Sequence, residues 1–488
     1  MHRAVLALLV SLLTAWGASA EQFDLVLKGG RVVDPETGLD AVRDVALRGD
    51  RIARVSAEPL DGARVLDVRG LVVAPGFIDL HQHQQDDESY RLKALDGVTM
   101  ALELESGVPD VARFLEVRRG KAIIHFGATA SQEAARVVAW GQALAPPTFG
   151  PDAGIDDPPA GPSTNEPASL DRLERILEQL RAGIRAGALG IGMGLEYTPG
   201  ATRLEVIEMC RLAAGHGLPV FVHLRSAGRI EPGSSIESVG EMIAASAVTG
   251  VAVHVVHLNS SCLAGAPECL KLIEGARARG LDVTTEAYPY GAGMTTIASA
   301  MFNPGWREKR GIDYGDVELP ESGERLTRER FEALHASPEP HNVLIHMNPD
   351  RIVDEVIRHP LVMIASDGIK QHPRSAGTYA RVLARYFRAQ GSLTLMEAVR
   401  KMSLMPAQRL EAATAAARRK GRLQPGADAD IVVFDPQTIE DKATYRAANA
   451  PSVGVRYLLV AGTLVVAEGR IVDGVAPGRP LRSDAIGR

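Results

Sequence analysis

The chain has 488 residues, with 54 Lys and Arg against 60 Asp and Glu, which gives a formal charge of −6. This mildly acidic balance argues against a nucleic-acid-binding protein, which normally carries a basic face. Hydrophobic residues make up 45% and charged residues 23%, which excludes disordered and fibrous chains and allows one large domain plus a smaller one. The three cysteines, Cys210, Cys262 and Cys269, are too few for a disulfide framework.

The first twenty residues have the pattern of a signal peptide. His2 and Arg3 precede the apolar run Ala4–Trp16, and Ala18-Ser19-Ala20 offers a small-residue cleavage site. The alternative is a membrane anchor, but the run is shorter than the ~20 residues that a span requires. The sequence therefore predicts an exported protein, periplasmic or secreted, with no membrane contact in its mature form.

Both ends of the mature chain are rich in short alternating strands separated by glycine turns. We expect residues 21–72 and 416–488 to meet as one small β-sandwich domain. The predicted strands are Phe23–Lys28, Arg31–Val33, Val45–Arg48, Arg51–Val55, Asp430–Phe434, Val455–Val460, Thr463–Val466 and Arg470–Val472.

The middle of the chain, residues 73–415, alternates eight apolar runs with amphipathic helical patterns. This alternation predicts an α/β fold of the (β/α)8 TIM-like barrel type, whose active sites form at the carboxyl ends of the strands. An open doubly wound sheet is the alternative, but no GxGxxG follows an early strand. The eight predicted strands are Val73–Leu80, Met100–Leu104, Ala122–Phe126, Gly190–Gly194, Val220–Leu224, Val253–Leu258, Val283–Ala287 and Val362–Ser366.

Two segments interrupt the repeat. Ala145–Pro167 is rich in Pro, Gly and Asp and is interpreted as a long loop. Tyr290–Pro340 is too long for a single crossover, so we expect an insertion at about 290–340 that forms a subdomain or a lid.

Histidines stand at the ends of several predicted strands. His81 and His83 close the first strand and point to the same side because they are two residues apart, and His223 and His257 close the fifth and sixth. Asp367 follows the eighth strand. Imidazole and carboxylate groups that converge at a barrel mouth are ligands for Zn²⁺, so the sequence predicts a metal site. His254 lies deeper in its strand and is interpreted as a core residue.

These residues resemble the amidohydrolase superfamily, through Ala74-Pro-Gly-Phe-Ile-Asp-Leu-His-Gln-His83 and Ser366-Asp367-Gly368. The closer resemblance is to its N-acyl-D-amino-acid deacylase (D-aminoacylase-like) branch, and it covers nearly the whole mature chain. That family has a (β/α)8 barrel with a small β-sandwich built from both termini. The motifs that carry the closer resemblance are Gly194-Leu-Glu-Tyr197, His223-Leu-Arg225, Ala287-Tyr-Pro-Tyr290, His372-Pro-Arg374, Gly377-Thr-Tyr379 and Gly421-Arg-Leu-Gln-Pro-Gly-Ala-Asp-Ala-Asp430.

The resemblance implies a role for each matching residue. His81, His83, His223 and His257 are implied metal ligands, and Asp367 is the implied general base and then general acid. Arg374 is the implied clamp on a substrate α-carboxylate, with Tyr288 near it. The substrate-binding candidates are Tyr197, Arg225, Asn259, Tyr288 and Arg374, and for Arg225 a structural pairing with an acid is the open alternative.

The sequence departs from the family at three places. Met100-Ala-Leu-Glu-Leu-Glu-Ser106 stands where the family has a cysteine ligand, and Glu105, nearer the strand end, is the expected replacement, with Glu103 as the alternative. Two acids in an apolar strand are costly without a cation. Asn259 replaces a lysine and Gln84-Gln85 replace acids. No lysine follows strands 3 or 4, so a carboxylated-lysine bridge is not expected.

The sequence thus predicts an amidohydrolase with one or two zinc ions that removes the acyl group from an N-acyl amino acid, in particular the D-enantiomer. The partner is a small molecule. Another amide, such as a cyclic amide, a dipeptide or an amidated aromatic compound, is a second hypothesis because of Asn259. A metal-binding homologue that has lost catalysis is a third, against which Asp367 argues.

Overall fold

The computed structural model describes residues 23–144, 158 and 160–486. The predicted signal peptide, and most of the predicted loop up to residue 159, lie outside these residues. Among the described helices, none is both long and apolar enough to cross a membrane.

Nine strands from the two chain ends form one sheet. The order β20-β19-β18-β17-β5-β1-β2-β3, with β4 beside β1, joins the ends through the antiparallel contact between β5 and β17. Apolar side chains from both ends, including Leu27, Val45 and Val433, share one core cluster. The strands are β1 (Phe23–Asp34), β2 (Leu39–Arg48), β3 (Arg51–Ser56), β4 (Gly62–Asp67), β5 (Val72–Pro75), β17 (Ile431–Phe434), β18 (Val455–Val460), β19 (Thr463–Ala467) and β20 (Arg470–Ile471).

The middle of the chain forms a parallel eight-stranded sheet in the order β16-β12-β11-β10-β9-β8-β7-β6. Past the strand ends, Gly368 N donates to His81 O (3.1 Å) and His83 N donates to Gly368 O (2.9 Å), which brings the first and last strands together. The predicted fold class is confirmed. The strands are β6 (Phe77–Asp79), β7 (Val98–Val108), β8 (His125–Ser131), β9 (Ile191–Gly194), β10 (Val220–His223), β11 (Val253–Val255), β12 (Val283–Ala287) and β16 (Val362–Ile364).

The predicted single strand Val73–Leu80 is wrong, because the structure divides it between the two sheets. Val72–Pro75 belongs to the small sheet, and Phe77–Asp79 is the first barrel strand. The break falls at Gly76, whose N–H donates to Asp430 O at 2.9 Å. A Cβ atom at this position would lie 2.2 Å from Cγ2 of Thr99, so only glycine allows the crossing.

Helices cover the outside of the barrel and begin at side-chain caps such as Ser169, Thr202 and Ser234, each of which accepts a backbone N–H three residues ahead. The helices are α1 (Asp87–Leu95), α2 (Val111–Arg118), α3 (Gln132–Ala139), α4 (Pro162–Asn165), α5 (Leu170–Arg185), α6 (Arg203–Gly215), α7 (Ser235–Thr249), α8 (Leu258–Cys262), α9 (Ala266–Ala278), α10 (Trp306–Arg310), α11 (Arg328–His335), α12 (Asp350–Arg358), α13 (Arg374–Arg381), α14 (Leu395–Val399) and α15 (Met405–Leu410).

The segment expected as a subdomain or lid folds into a small sheet with two helices. Strands β13 (Gly293–Thr296), β14 (Val317–Glu318) and β15 (Asn342–Ile345) pair in the order β13-β15-β14, so this sheet extends beyond residue 340. Its own apolar cluster includes Phe302, Trp306 and Phe331. We call residues 290–349 the insertion below.

Candidate metal centre

The carboxylate of Glu105, near the end of β7, lies at the centre of the site. Its Oε2 is 2.8 Å from Nε2 of His81 and 3.1 Å from Nε2 of His83. Its Oε1 is 2.7 Å from Nδ1 of His223 and 2.9 Å from Nε2 of His257. One carboxylate therefore faces two histidine pairs with a different oxygen toward each.

Asp367 completes the first of these groups. Its Oδ1 lies 3.2 Å from Nε2 of His83 and 3.5 Å from Nε2 of His81. Asp367 and His257 both have positive φ angles, 51° and 29°, although neither is glycine. Such conformations cost free energy and persist where the surrounding structure imposes them, often at functional sites.

This donor set fits a metal centre. His81, His83, Glu105 and Asp367 form one group and Glu105, His223 and His257 form a second, and within each group the ligand atoms all lie within 4.8 Å of one another. Nε2 of His81 and Nε2 of His83 approach to 3.1 Å. Buried carboxylate and imidazole groups packed this closely are the oxygen and nitrogen ligands that Zn²⁺ takes, and Glu105 is the residue that both groups share.

Behind the first group, a buried chain of polar side chains fixes His81. Oε1 of Glu286 lies 2.7 Å from Nδ1 of His81, and Oε2 of Glu286 lies 3.1 Å from Nε2 of His254. Nδ1 of His254 lies 2.8 Å from Oγ1 of Thr284. His254 is thus a partnered residue of the barrel interior, as its depth in the strand indicates.

Glu103, the alternative to Glu105, has a different place. Its Oε2 lies 2.9 Å from Nδ1 of His83, on the side of the imidazole opposite to Nε2. It belongs to neither ligand group. The geometry therefore favours Glu105 as a ligand and Glu103 as the partner that orients His83.

The second histidine pair is held in the same way. Nδ1 of His257 lies 3.1 Å from Oγ of Ser261, and Nε2 of His223 lies 2.9 Å from Oε2 of Glu196. Oε1 of Glu196 accepts a hydrogen bond from Nη2 of Arg310, which belongs to α10 of the insertion. Outer partners of this kind fix the orientation of a ligand imidazole.

The charged side chains of the site shift the pKa values of their neighbours. Burial by itself lowers the pKa of His81 and of His223, but the neighbouring carboxylates, Glu105 first among them for His81, raise each pKa to about 10. Burial raises the pKa of Asp367, but the guanidinium of Arg374 and the imidazole of His81 bring it well below its usual range. Asp367 is therefore ionised and able to accept a proton.

Arg374 is fully enclosed next to Asp367. Its Nη1 forms an ion pair with Oδ2 of Asp367 at 2.8 Å, whereas its buried Nε lacks an acceptor. The guanidinium carbon lies 4.7 Å from the ring centre of Tyr288. Both amide atoms of Asn259 bind the backbone of Tyr288, at 3.3 and 3.4 Å, so Asn259 supports Tyr288.

Tyr197 and Arg225, the remaining two substrate-binding candidates, have different surroundings. The ring of Tyr197 packs edge-on against His223, with the ring centres 4.8 Å apart. Arg225 binds both carboxylate oxygens of Glu241 (2.9 and 2.7 Å) and the carbonyl of Ala201 (2.7 Å), and none of its hydrogen bonds reaches the histidines. Arg225 thus forms the structural ion pair that the sequence left open, and its contact with a substrate stays a prediction.

Three residues of the site, Glu286, Glu196 and Arg310, were not predicted from the sequence. Glu286 could have been found as an acid in the buried strand Val283–Ala287, two residues from Thr284 and thus on the same face. Glu196 lies in the recognised Gly194–Tyr197 motif but carried no separate signal. Arg310 follows no pattern, since its approach to the barrel depends on the tertiary fold of the insertion.

The chain is similar to known proteins along nearly its whole length. The model of the amidohydrolase family known as Amidohydro_3 matches residues 64–466. N-acyl-D-glutamate deacylase of Alcaligenes xylosoxydans xylosoxydans is 32% identical, over 95% of this chain and 98% of that protein.

Two solved structures are similar throughout. The N-acyl-D-glutamate deacylase of Bordetella bronchiseptica, complexed with zinc and a phosphonate inhibitor, superimposes with a TM-score of 0.78 at 26% identity, over 95% of this chain and 100% of that one. A D-aminoacylase described as having a binuclear metal centre gives a TM-score of 0.78 at 25% identity, over 94% of this chain and 100% of that one. The chain therefore belongs to the amidohydrolase family, in its D-aminoacylase-like branch, and is a hydrolase of carbon–nitrogen bonds other than peptide bonds.

Proposed function

We propose that this hydrolase uses zinc to remove the acyl group from N-acyl-D-amino acids. The observation that carries the proposal is the position of Asp367, whose two carboxylate oxygens face different partners. Oδ1 faces His81 and His83, and Oδ2 faces Arg374. Asp367, a side chain able to transfer a proton, thus lies between the metal ligands and the guanidinium of Arg374, a buried cation suited to bind a substrate carboxylate.

The ligands in this proposal are His81, His83, Glu105, His223 and His257, with Glu105 shared between two positions. Their spacing supports one or two zinc ions. When bound, zinc supplies a Lewis acid that polarises the amide carbonyl and lowers the pKa of a water molecule. Glu286, Glu103, Ser261 and Glu196 hold the four imidazoles in place.

Asp367 carries the proton transfer. Its carboxylate accepts a proton from the attacking water and delivers it to the departing amine nitrogen, so that one side chain serves as base and then as acid. The depressed pKa of Asp367, caused by Arg374 and His81 against the opposing effect of burial, keeps the carboxylate ionised before the reaction begins.

Arg374 binds the α-carboxylate of the substrate. Its Nε is buried without a hydrogen-bond acceptor, and a buried donor without a partner is costly. A planar guanidinium provides charge and two donors for a carboxylate, which a lysine would do less well. The Tyr288 ring, 4.7 Å from the guanidinium carbon, holds it in this orientation.

A different amide is the second candidate, and two observations favour it. Where the family has a lysine, Asn259 uses its amide on the Tyr288 backbone. An open cleft of about 910 Å³ lies beside the site, lined among others by Tyr290, Arg310, His346, Asn348 and Tyr445. This volume is in the upper part of the range for small-molecule sites, so it accommodates substrates larger than an acetylated amino acid.

The protein is in addition proposed to be exported to the periplasm or the medium, on the signal-peptide pattern of residues 1–20. The test is to express the full-length chain in a Gram-negative host and to sequence the N-terminus of the protein in each cell fraction. A mature chain that begins at Glu21 in the periplasmic fraction is expected, and an uncleaved cytoplasmic chain would contradict export.

The function is tested by zinc per chain, measured by elemental analysis, beside amine release from matched N-acetyl-D- and N-acetyl-L-amino acids. We expect one or two zinc ions and turnover of the D-series. In Asp367→Asn, we expect turnover to fall about 10²- to 10⁴-fold while zinc stays bound. Zinc without turnover on either series would favour the other-amide candidate, and a zinc-free protein would overturn the mechanism.

A further inference from the structure

A residue of the insertion reaches the metal centre through one intermediate side chain. Arg310, the last residue of α10, donates from Nη2 to Oε1 of Glu196, and Oε2 of Glu196 lies 2.9 Å from Nε2 of His223. The opposite ring nitrogen, Nδ1, is the one that faces Glu105. His223 is therefore held from outside the barrel by a guanidinium that the insertion supplies.

This contact is enclosed. The side chain of Arg310 is 3% exposed and that of Glu196 is 11% exposed, and Nη1 of Arg310 donates to Met301 O within the insertion at 3.3 Å. Breaking a charge pair in so enclosed a place is costly, because the loss of one partner leaves the other as a largely buried charge without compensation. Any shift of α10 therefore disturbs Glu196, the side chain that contacts Nε2 of His223.

A glycine of the barrel domain, Gly228, allows α10 to approach closely. Gly228, in the segment after β10, has a φ angle of 78°, and a Cβ atom there would lie 2.1 Å from the backbone carbonyl oxygen of Lys309. Only glycine permits this approach, and Lys309 directly precedes Arg310. The close contact at Gly228 and the hydrogen bond at Glu196 are separate observations that fix α10 at the same position.

We propose that Arg310 is a positioning residue through which the docked insertion sets the zinc affinity of the His223 and His257 position. Arg310 holds the Glu196 carboxylate, and Glu196 holds the His223 imidazole with Nδ1 turned toward the site. Substitution of such an outer partner typically weakens metal binding about 10- to 100-fold. The inference rests on the proposed zinc site and is independent of the proposed substrate.

Zinc titration of the full-length metal-free protein against a chromogenic chelator tests this inference. We expect Arg310→Met to raise the Kd of the affected zinc position about 10-fold or more. Arg310→Lys, which keeps the charge and one donor, should recover part of this affinity. In Glu196→Gln, the further substitution of Arg310 should add little, since both changes break the same connection.

Two further variants separate positioning from general stability. Gly228→Ala displaces α10 without touching Arg310, and we expect it to weaken zinc as Arg310→Met does. Arg307→Met alters the outer side of the same helix, where Arg307 pairs with Asp313 in solvent, and should leave the zinc Kd unchanged. Thermal unfolding of each metal-free variant shows whether the fold itself has been weakened.

The outcomes are distinct from those for the proposed function. If the wild type binds no zinc, both the function and this inference fail. If the wild type binds zinc and Arg310→Met binds it with the same Kd, only the inference is overturned. It is also overturned if Arg307→Met weakens zinc as much as Arg310→Met, or if the loss in Arg310→Met follows its loss of thermal stability and Arg310→Lys restores nothing.

Discussion

Glu286 lies directly behind His81, with Oε1 2.7 Å from Nδ1 on the side of the imidazole turned away from Glu105. Both side chains are buried. The free-energy cost of burying the Glu286 carboxylate is offset because one oxygen contacts His81 and the other contacts His254. A carboxylate in this position fixes the ring and makes its other nitrogen a stronger ligand.

We therefore expect Glu286→Gln to bind zinc about 10- to 100-fold more weakly while the fold is retained. Chelator competition measures the affinity, and circular dichroism reports the fold. Asp282→Asn in the same region is the control, because Asp282 is half exposed and pairs with Arg409 rather than with a ligand. Equal zinc affinity in Glu286→Gln and the wild type would contradict the assigned role.

The two glutamates of β7 give a sharper comparison, since they lie two residues apart on one face of the strand. Glu105 belongs to both ligand groups, whereas Glu103 contacts only the outer nitrogen of His83. We expect Glu105→Gln to lose at least one equivalent of zinc and most activity. Glu103→Gln should keep its zinc at saturation and bind the ion at the His81 and His83 position about 10-fold less tightly. Elemental analysis after dialysis checks both variants, and the reverse order of effects would exchange the two assignments.

The fold was predictable because it depends on periodicity. Apolar runs alternating with helical patterns such as Leu170–Ala186, which is α5 in the structure, specify the barrel without knowledge of contacts. The meeting of the histidines was predictable for a related reason, since a parallel barrel brings residues at the carboxyl ends of its strands, such as His81, His223 and His257, to one face. The strand bounds were less predictable, and the third barrel strand, predicted at Ala122–Phe126, is His125–Ser131.

What could not be predicted depends on contacts distant in the sequence. For Arg225 the sequence left substrate binding and a structural pairing open, and only the fold shows that Glu241, sixteen residues away on α7, accepts from its Nε and Nη2. The first barrel strand was placed too early because Val72–Pro75 and Phe77–Asp79 form one apolar run, and only the approach of Thr99 to Gly76 shows where one sheet ends and the next begins. Periodicity carries no information on either contact.

A buried lysine gives a pH-dependent prediction. Lys401 packs beneath β16, where its Nζ donates to Val362 O at 2.9 Å and also to His359 O. Burial lowers its pKa from 10.5 to about 8, with Glu397 acting in the opposite direction. The folded state thus binds this proton less tightly than the unfolded state. The stability of the wild type should therefore decrease as the pH falls from about 10.5 to about 8 and change no further from this cause below pH 8.

Lys401→Met removes this contribution. We expect the stability of the variant relative to the wild type to rise as the pH falls through that window, by a change on the order of 3 kcal/mol at most. Midpoints of urea unfolding at pH 8, 9 and 10 measure the difference. If the stability of the two proteins depended on pH in the same way, Lys401 would be protonated equally in the folded and unfolded states.

Gly76 offers a test of how the two sheets are joined. A methyl group at this position would lie 2.2 Å from Cγ2 and 2.4 Å from Oγ1 of Thr99, and the Gly76 N–H is bound to Asp430 O, so the backbone has little freedom to move away. Overpacking of this kind typically costs about 1–3 kcal/mol, so we expect Gly76→Ala to unfold at lower temperature and lower urea concentration.

Gly240→Ala is the matched control for this substitution. Gly240 lies within α7, and a Cβ atom there would meet nothing within 4 Å, so alanine should stabilise the helix by about 0.5–1 kcal/mol. The same chemical change is therefore expected to have opposite signs at the two positions. In the double variant Gly76→Ala/Thr99→Ser, the removal of Cγ2 should restore part of the lost stability, because that methyl group makes the shortest contact. If Gly76→Ala were as stable as the wild type, the backbone between Pro75 and Phe77 would have to be adaptable, and the junction would not depend on glycine.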